Sequence, residues 1–260
     1  MGNGLKPLEP EELRSELAHA WRMILVVLVA LWIAKSVGGG WLGTALATVA
    51  MGLQLYLPIR WLHRTMQPDW VIGWRRDRIA RDLKLVLAVC LVTFPLYGFA
   101  HVWMMENARH LMVDFGGLEY ARWVPQRRWS FEVLAGQLGE SGRLVWLAER
   151  IATHLFGVAL PEETFYRGFL LTIFQSVWIP QATFLGVRFG RAAIVTNLFF
   201  ALGHVVGEWN PLRFGPFFPG LLFAWLFNAT GSIWGAVLFH AASNVFGEIL
   251  ALGYVSGAGG

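Results

Sequence analysis

Cysteine is almost absent from this chain of 260 residues, and its single thiol, Cys90, lies in an apolar run. One cysteine cannot form an internal disulfide, so a disulfide-rich scaffold and a cysteine-rich metal site are both excluded. Charge is also scarce, because only 15% of the residues are Asp, Glu, Lys or Arg. A chain with 56% hydrophobic residues and a mean hydropathy of +0.50 is too apolar for a soluble domain of this length. The composition therefore predicts a polytopic membrane protein.

The charge that remains is basic, with a formal net charge of +4. Much of it gathers between residues 59 and 84, beside apolar runs. Basic loops next to membrane spans are typical of the cytoplasmic side, so we predict that this loop is cytoplasmic and that the chain has no nucleic-acid partner. The basic residues of the loop are Arg60, Arg64, Arg75, Arg76, Arg78, Arg81 and Lys84.

Apolar runs separated by polar turns predict an all-α bundle of about seven transmembrane spans, within a range of six to eight. The first run follows a short surface helix and has no small-residue cleavage site after it, which indicates an uncleaved span. Pro58 is expected to end the second span. Charged residues interrupt the run at 144–160, which we predict to be a helix that lies in the interface or lines a site. The predicted spans are residues 23–34, 41–57, 85–105, 162–178, 192–206, 216–229 and 233–254.

Polar groups occur inside three of these apolar runs, where an ionised side chain costs several kcal/mol and is by default a functional candidate. Glu162 and Glu163 open one run, and His204 lies near the end of the next. His240 and Asn244 lie in the last run and share a helix face, because their spacing is i and i+4. Three predicted spans thus each carry polar groups, and we expect these groups to meet at one site.

The topology makes a prediction about depth. If the loop at 59–84 is cytoplasmic, Glu162 opens a span that enters from outside and His204 ends a span that runs outward, so both lie near the outer surface. If residues 144–160 also cross the bilayer, the cluster stays together but opens toward the cytoplasm.

Three short motifs carry a family resemblance. They are Glu162-Glu163-x-x-x-Arg167, Phe200-x-x-x-His204 and His240-x-x-x-Asn244. In this order and within apolar runs, they resemble the motifs of the CAAX protease and bacteriocin-processing family of intramembrane proteases, also called the Abi or type II CAAX prenyl endopeptidase family. The resemblance covers residues 145–252. It implies a catalytic membrane core at 141–260, after an N-terminal membrane region at 1–140 that has three spans and a polar loop.

The resemblance also implies roles for the motif residues. Glu162 and His204 would bind and activate a water, while His240 and Asn244 would stabilise the oxyanion. The residues given supporting roles are Glu163, Arg167 and Phe200. The chemistry agrees, because peptide hydrolysis requires a nucleophile, a base, and donors placed where charge develops on the carbonyl oxygen.

The signatures of other proteases are missing from the sequence, namely His-Glu-x-x-His, Gly-x-Gly-Asp and Gly-x-Ser-x-Gly. The resemblance implies a glutamic-type endopeptidase without a cofactor, and the missing signatures agree with it. A zinc-dependent version remains an alternative, in which two glutamates and two histidines hold the ion and a water. Its ligands would be Glu162, Glu163, His204 and His240.

If the site faces outward, the resemblance to some bacterial members of the family favours a membrane-associated protein whose C-terminal tail is removed during sorting of exported proteins, or else maturation of a secreted peptide. This would place the chain in a bacterial inner membrane, with the site open to the periplasm. The alternative from another class is a non-catalytic protein that binds a partner through the same polar cluster. A transporter is disfavoured because the chain shows no paired halves.

Overall fold

The computed structural model describes residues 10–116, 128–208 and 210–255, which are mostly helical. Four of the helices are long and apolar enough to cross a membrane, judged by length and composition. The prediction of a helical transmembrane bundle is confirmed, and the count of about seven spans stays a prediction. These four candidate spans are Glu11–Val37, Gly40–Thr65, Arg76–Asn107 and Ile233–Leu252.

The N-terminal half contains three long helices, of which the second is longer than predicted. Helix α2 continues through Pro58 to Thr65, so the prediction that Pro58 ends it is wrong. Pro58 is buried, and membrane helices tolerate proline where neighbouring groups satisfy the freed carbonyl. Two 3₁₀ turns, Asp69–Ile72 and Arg76–Arg78, then lead into the third helix. The three helices are α1 (Pro10–Val37), α2 (Gly40–Thr65) and α3 (Ile79–Gly116).

The polar connection predicted at 106–142 is partly helical. Helix α3 takes up its beginning, and α4 (Phe131–Leu138) follows near its end, with the Ser130 hydroxyl accepting a hydrogen bond from the backbone N–H of Val133. The rest of this connection, residues 117–127, lies outside the described residues, as do the residues that precede Pro10.

The chain then stays helical from Arg143 to Val177, but two stretches have the wider turn of a π-helix. π-Helical turns are rare and occur often at functional sites. Glu162 and Glu163 lie in the single α-helical turn between them. The successive segments are α5 (Arg143–Ala152), the π-turns Thr153–Ala159, α6 (Leu160–Glu163), the π-turns Thr164–Leu171, and α7 (Thr172–Val177).

A small antiparallel hairpin follows, which the sequence did not predict. Strands β1 (Ala182–Phe184) and β2 (Val187–Phe189) are joined by Leu185 and Gly186, both with positive φ. Two such residues form the tight turn that matches the twist of a hairpin. The remaining elements are α8 (Arg191–Val205), the 3₁₀ turn Pro211–Phe214, α9 (Phe217–Thr230) and α10 (Ile233–Leu252).

The chain forms two compact units, each made from separated segments. The first combines Met1–Leu85 with Leu155–His240 and has an aromatic core that includes Trp61 and Phe169, whose ring centroids lie 5.3 Å apart. The second combines Val86–His154 with Ala241–Gly260, and in it Phe94 stacks on Phe246 at 4.4 Å. The division into regions 1–140 and 141–260 stays a prediction.

Candidate active site

A buried ion pair anchors the site in the first unit. Glu163 Oε1 accepts a hydrogen bond from Arg167 Nη1 at 3.0 Å and lies 2.8 Å from His240 Nδ1. All three side chains are buried. Because an ionised carboxylate can only accept, His240 Nδ1 carries the proton of this second bond. The other ring nitrogen, Nε2, then lies 3.7 Å from Glu162 Oε2.

Arg167 has further partners on two other helices. Its Nη2 donates to Asn197 Oδ1 at 3.0 Å and to the backbone oxygen of Gly220 at 2.9 Å. Its guanidinium carbon lies 4.4 Å from the ring centroid of Phe200, within range of a cation–π interaction. A buried guanidinium with this many partners holds the facing helices in one register and fixes the position of Glu163.

Two phenylalanines hold the imidazole of His240. The ring of Phe223 is nearly parallel to it, with a centroid distance of 4.7 Å, and the ring of Phe200 is perpendicular to it at 5.8 Å. The ring plane of His240 is therefore set by packing as well as by its bond to Glu163.

Glu162 differs from its neighbour Glu163 in its partners. Glu162 is 9% exposed, and its buried Oε2 has no hydrogen-bond partner in the described part of the chain. Glu163 also has one oxygen without a partner, but its other oxygen accepts from both Arg167 and His240. A buried polar atom without a partner is unfavourable for stability and is therefore a candidate for function.

His204 lies at the end of α8 and presents one nitrogen for chemistry. Its Nδ1 lies 2.9 Å from the backbone oxygen of Phe200. A carbonyl can only accept, so Nδ1 is protonated and Nε2 of the neutral ring carries a lone pair. Like Glu162, His204 thus has an acceptor atom that is not used by these contacts.

Glu162 and His204 both line a cavity of about 650 Å³ in the first unit. Helices α1, α2 and α8 and the segment that carries Glu162 form its walls. The size lies within the range of small-molecule and peptide sites. The lining residues are Leu31, Ala34, Lys35, Gly38, Gly39, Gly43, Thr44, Ala47, Met51, Val158, Glu162, Tyr166, Phe200, Gly203, His204 and Glu208.

Asn244, the last motif residue, belongs to the second unit. Its Nδ2 lies 3.4 Å from His154 Nδ1, and His154 Nε2 lies 3.0 Å from Glu248 Oε1. The carboxylate requires a proton on His154 Nε2, so Nδ1 accepts from the Asn244 amide. This chain of bonds fixes the orientation of the Asn244 side chain.

The structure thus brings most of the predicted residues together in the first unit: Glu162, Glu163, Arg167, Phe200, His204 and His240. The sequence reasoning did not identify Asn197, although Asn197 precedes Phe200 and His204 on one face of α8 at helical spacing. It also missed Gly220, for which the sequence has no signal.

The contacts of Glu163 disfavour this residue as a zinc ligand. Glu163 already binds Arg167 and His240, and a guanidinium 3.0 Å from the carboxylate would repel a second cation. No group of three or more His, Cys, Asp or Glu residues that could hold a metal occurs in the described ranges. The expectation that the protein needs no cofactor stays a prediction.

Lys35 supports the helix end that carries His204. Its Nζ donates to the backbone oxygens of Gly203 and His204, at 3.1 and 2.7 Å, and lies 3.5 Å from Glu208. A cation at the C-terminus of a helix satisfies carbonyls that have no partner within the helix.

Replacing this cation should loosen the end of α8. Lys35→Met should destabilise the protein by about 1.5–3 kcal/mol, because hydrogen bonds from a charged donor are lost. The measurement is the apparent melting temperature in detergent. Lys84→Met, at an exposed lysine, is the control. Equal melting temperatures for the two variants would rule out this role for Lys35.

Comparison with known proteins gives one match. No curated protein and no solved structure matches the chain. The family model described as type II CAAX prenyl endopeptidase Rce1-like matches residues 144–246, a stretch that contains every motif residue discussed above. Together with the apolar helices, the match identifies an integral membrane endopeptidase. Residues 144–246 therefore form a domain of the Rce1-like family of type II CAAX prenyl endopeptidases, the family that the motifs predicted.

Proposed function

We propose that the protein is a glutamic-type intramembrane endopeptidase in which Glu162 and His204 activate the water that cleaves the peptide bond. The observation that carries the proposal is the pair of unused acceptors in one cavity, the buried Oε2 of Glu162 and the Nε2 of His204. A water has two protons to donate, so a water between two acceptors has its lone pair free for attack.

The proposed reaction begins with attack of this water on the carbonyl carbon, while Glu162 takes one of its protons as general base. Glu162 Oε2 lies 3.7 Å from His240 Nε2, which is longer than a hydrogen bond, so the proposal requires the two atoms to approach when substrate binds before the proton passes between them. Once protonated, His240 Nε2 becomes a donor for the oxyanion, and its bond to Glu163 stabilises the charged ring. The C–N bond then breaks, and the proton passes to the leaving amine.

The proposal includes Asn244 because the motif His240-x-x-x-Asn244 places it one helical turn after His240 on α10. One N–H of its amide donates to His154, and the proposed role as an oxyanion donor is carried over from the motif.

The proposed substrate is a membrane-associated protein that loses a C-terminal apolar tail during sorting of exported proteins. The largely apolar lining of the cavity supports a tail of low polarity. The basic loop at 59–84 supports a site that opens to the periplasmic side of a bacterial inner membrane.

The test is cleavage of exported proteins with a C-terminal apolar tail by the purified full chain. His204→Ala should lower the turnover number by about 10²–10⁴-fold, the usual contribution of an acid–base group. Leu198→Ala, at an exposed residue of the same helix, is the control and should cleave like the wild type. A chelator should have no effect.

Two other results would redirect the proposal. Loss of cleavage with a chelator would favour the zinc-dependent version. Equal processing by the wild type and His204→Ala would remove the proposed mechanism and favour a protein that only binds its partner through this cluster.

A further inference from the structure

More than half of the residues that line the cavity come from α1, α2 and the turn between them, outside the stretch that matches the family model. On α2 these are Gly43, Thr44, Ala47 and Met51, which recur at helical spacing and so form one face. We call these four residues the α2 face. Three of them have small side chains, and part of the cavity is the space that larger side chains would fill at these positions.

We propose that the α2 face selects the substrate by accepting an extended apolar segment that carries a large aliphatic or aromatic side chain opposite Ala47. This inference rests on the proposed function, because it assigns the substrate of the same cavity. It places the selecting residues in a part of the chain that the family match does not cover.

The dimensions of the α2 face suit a peptide in extended form. Gly43 and Met51 are eight residues apart, which is about 12 Å along a helix. An extended segment advances about 3.3 Å per residue, so roughly four residues lie along this length. The exposed Ala47 lies in the middle of the α2 face, where a large substrate side chain meets little obstruction.

The charges of the cavity favour an apolar segment. Lys35 donates to two backbone oxygens and lies 3.5 Å from Glu208, and Glu208 also pairs with Arg213 at 2.7 Å. Neither Lys35 nor Glu208 is therefore free to pair with a charged substrate side chain. The remaining carboxylate is that of Glu162, which is nine-tenths buried, lines the cavity, and has an oxygen without a partner. A buried oxygen without a partner indicates that a bound molecule completes its hydrogen bonds. In this cavity we infer that the molecule is the reacting water, with the peptide bond beside it.

The experiment measures binding and cleavage separately. Fluorescent synthetic apolar peptides, identical except for a central Ala or Phe, are titrated into the full-length Glu162→Gln protein in detergent, so that they stay intact. Cleavage of the same peptides is then measured by mass spectrometry with Glu162 restored.

Ala47→Leu fills the proposed space, and Ala45→Leu adds the same side chain at an exposed position of α2 outside the cavity lining. Ala47→Leu should weaken binding of the Phe peptide about tenfold or more, with a much smaller change for the Ala peptide. Ala45→Leu should leave both unchanged. Equal apparent melting temperatures would show that both variants fold.

The outcomes separate this inference from the proposed function. Equal binding to both variants, or no binding to any of the proteins, would overturn the inference even if other substrates are cleaved. Binding that is selective at Ala47, without cleavage by the protein that retains Glu162, would uphold the selecting role of the α2 face and overturn the proposed peptidase function.

Discussion

Glu162→Gln should greatly reduce peptide cleavage while leaving the protein as stable as the wild type. The substitution keeps the size of the side chain and removes the proposed base, so the turnover number should fall by about 10²–10⁴-fold. Stability should not fall, because the buried Oε2 of Glu162 has no partner to lose and a neutral amide is less costly to bury than a carboxylate. The measurements are turnover of a tail-bearing substrate and the apparent melting temperature in detergent.

The same substitution at the neighbouring Glu163 should lower the stability of the protein. Glu163→Gln removes the charge that pairs with the fully buried Arg167, and breaking a buried ion pair costs about 3–5 kcal/mol. This variant should therefore melt at a lower temperature and lose activity as a consequence. Glu149→Gln, at an exposed glutamate earlier in the same helical run, is the control and should change neither property.

The same substitution is thus expected to leave stability unchanged at Glu162 and to lower it at Glu163. If Glu162→Gln were strongly destabilising, or if Glu163→Gln lost activity without any loss of stability, the division into a base and a structural anchor would be wrong.

Sequence patterns predicted most helices of this fold because the determinants are local. Long apolar runs bounded by glycine, proline or charge predicted α8, α9 and α10 to within a few residues. The error at Pro58 has a tertiary cause, because the residue is buried in α2 and its effect depends on neighbouring groups. The hairpin was missed because its strands have three residues each, too few to show alternation.

The contacts within the candidate site were less predictable from the sequence than the helices. Spacing alone pairs Glu163 with Arg167, because i and i+4 meet on any helix. Which of the two glutamates forms the hydrogen bond with His240 depends on the tertiary fold, because His240 is far away in sequence, and no local pattern reports it. The π-helical turns on either side of Glu162 and Glu163 also have no signal in the sequence.

Gly220→Ala should destabilise the site even though the same change usually stabilises a helix. Alanine is favoured over glycine in a helix interior by about 1 kcal/mol. At Gly220, however, a Cβ would clash with Asn197 Oδ1 and lie 2.8 Å from Arg167 Nη2. These contacts are too short, so Asn197 and Arg167 must move, and overpacking of this kind costs about 1–3 kcal/mol.

Displacement of the Arg167 guanidinium should also lower the rate of the proposed reaction. Arg167 binds Glu163, and Glu163 holds the ring of His240, so a shift of Arg167 moves the nitrogen that faces Glu162. Displacements of about 1 Å at a reacting group lower rates by about 100-fold. Gly220→Ala should therefore lower both the apparent melting temperature and the turnover number.

Gly52→Ala is the matched control, because Gly52 also lies within a helix and a Cβ there meets nothing within 4 Å. It should leave activity unchanged and raise stability slightly. Combining Gly220→Ala with Asn197→Ala removes the shorter of the two clashes, so the double variant should lose less stability than the sum of the single variants. Strict additivity, or a Gly220→Ala protein as stable and active as Gly52→Ala, would show that close packing at Gly220 does not hold Arg167 in place.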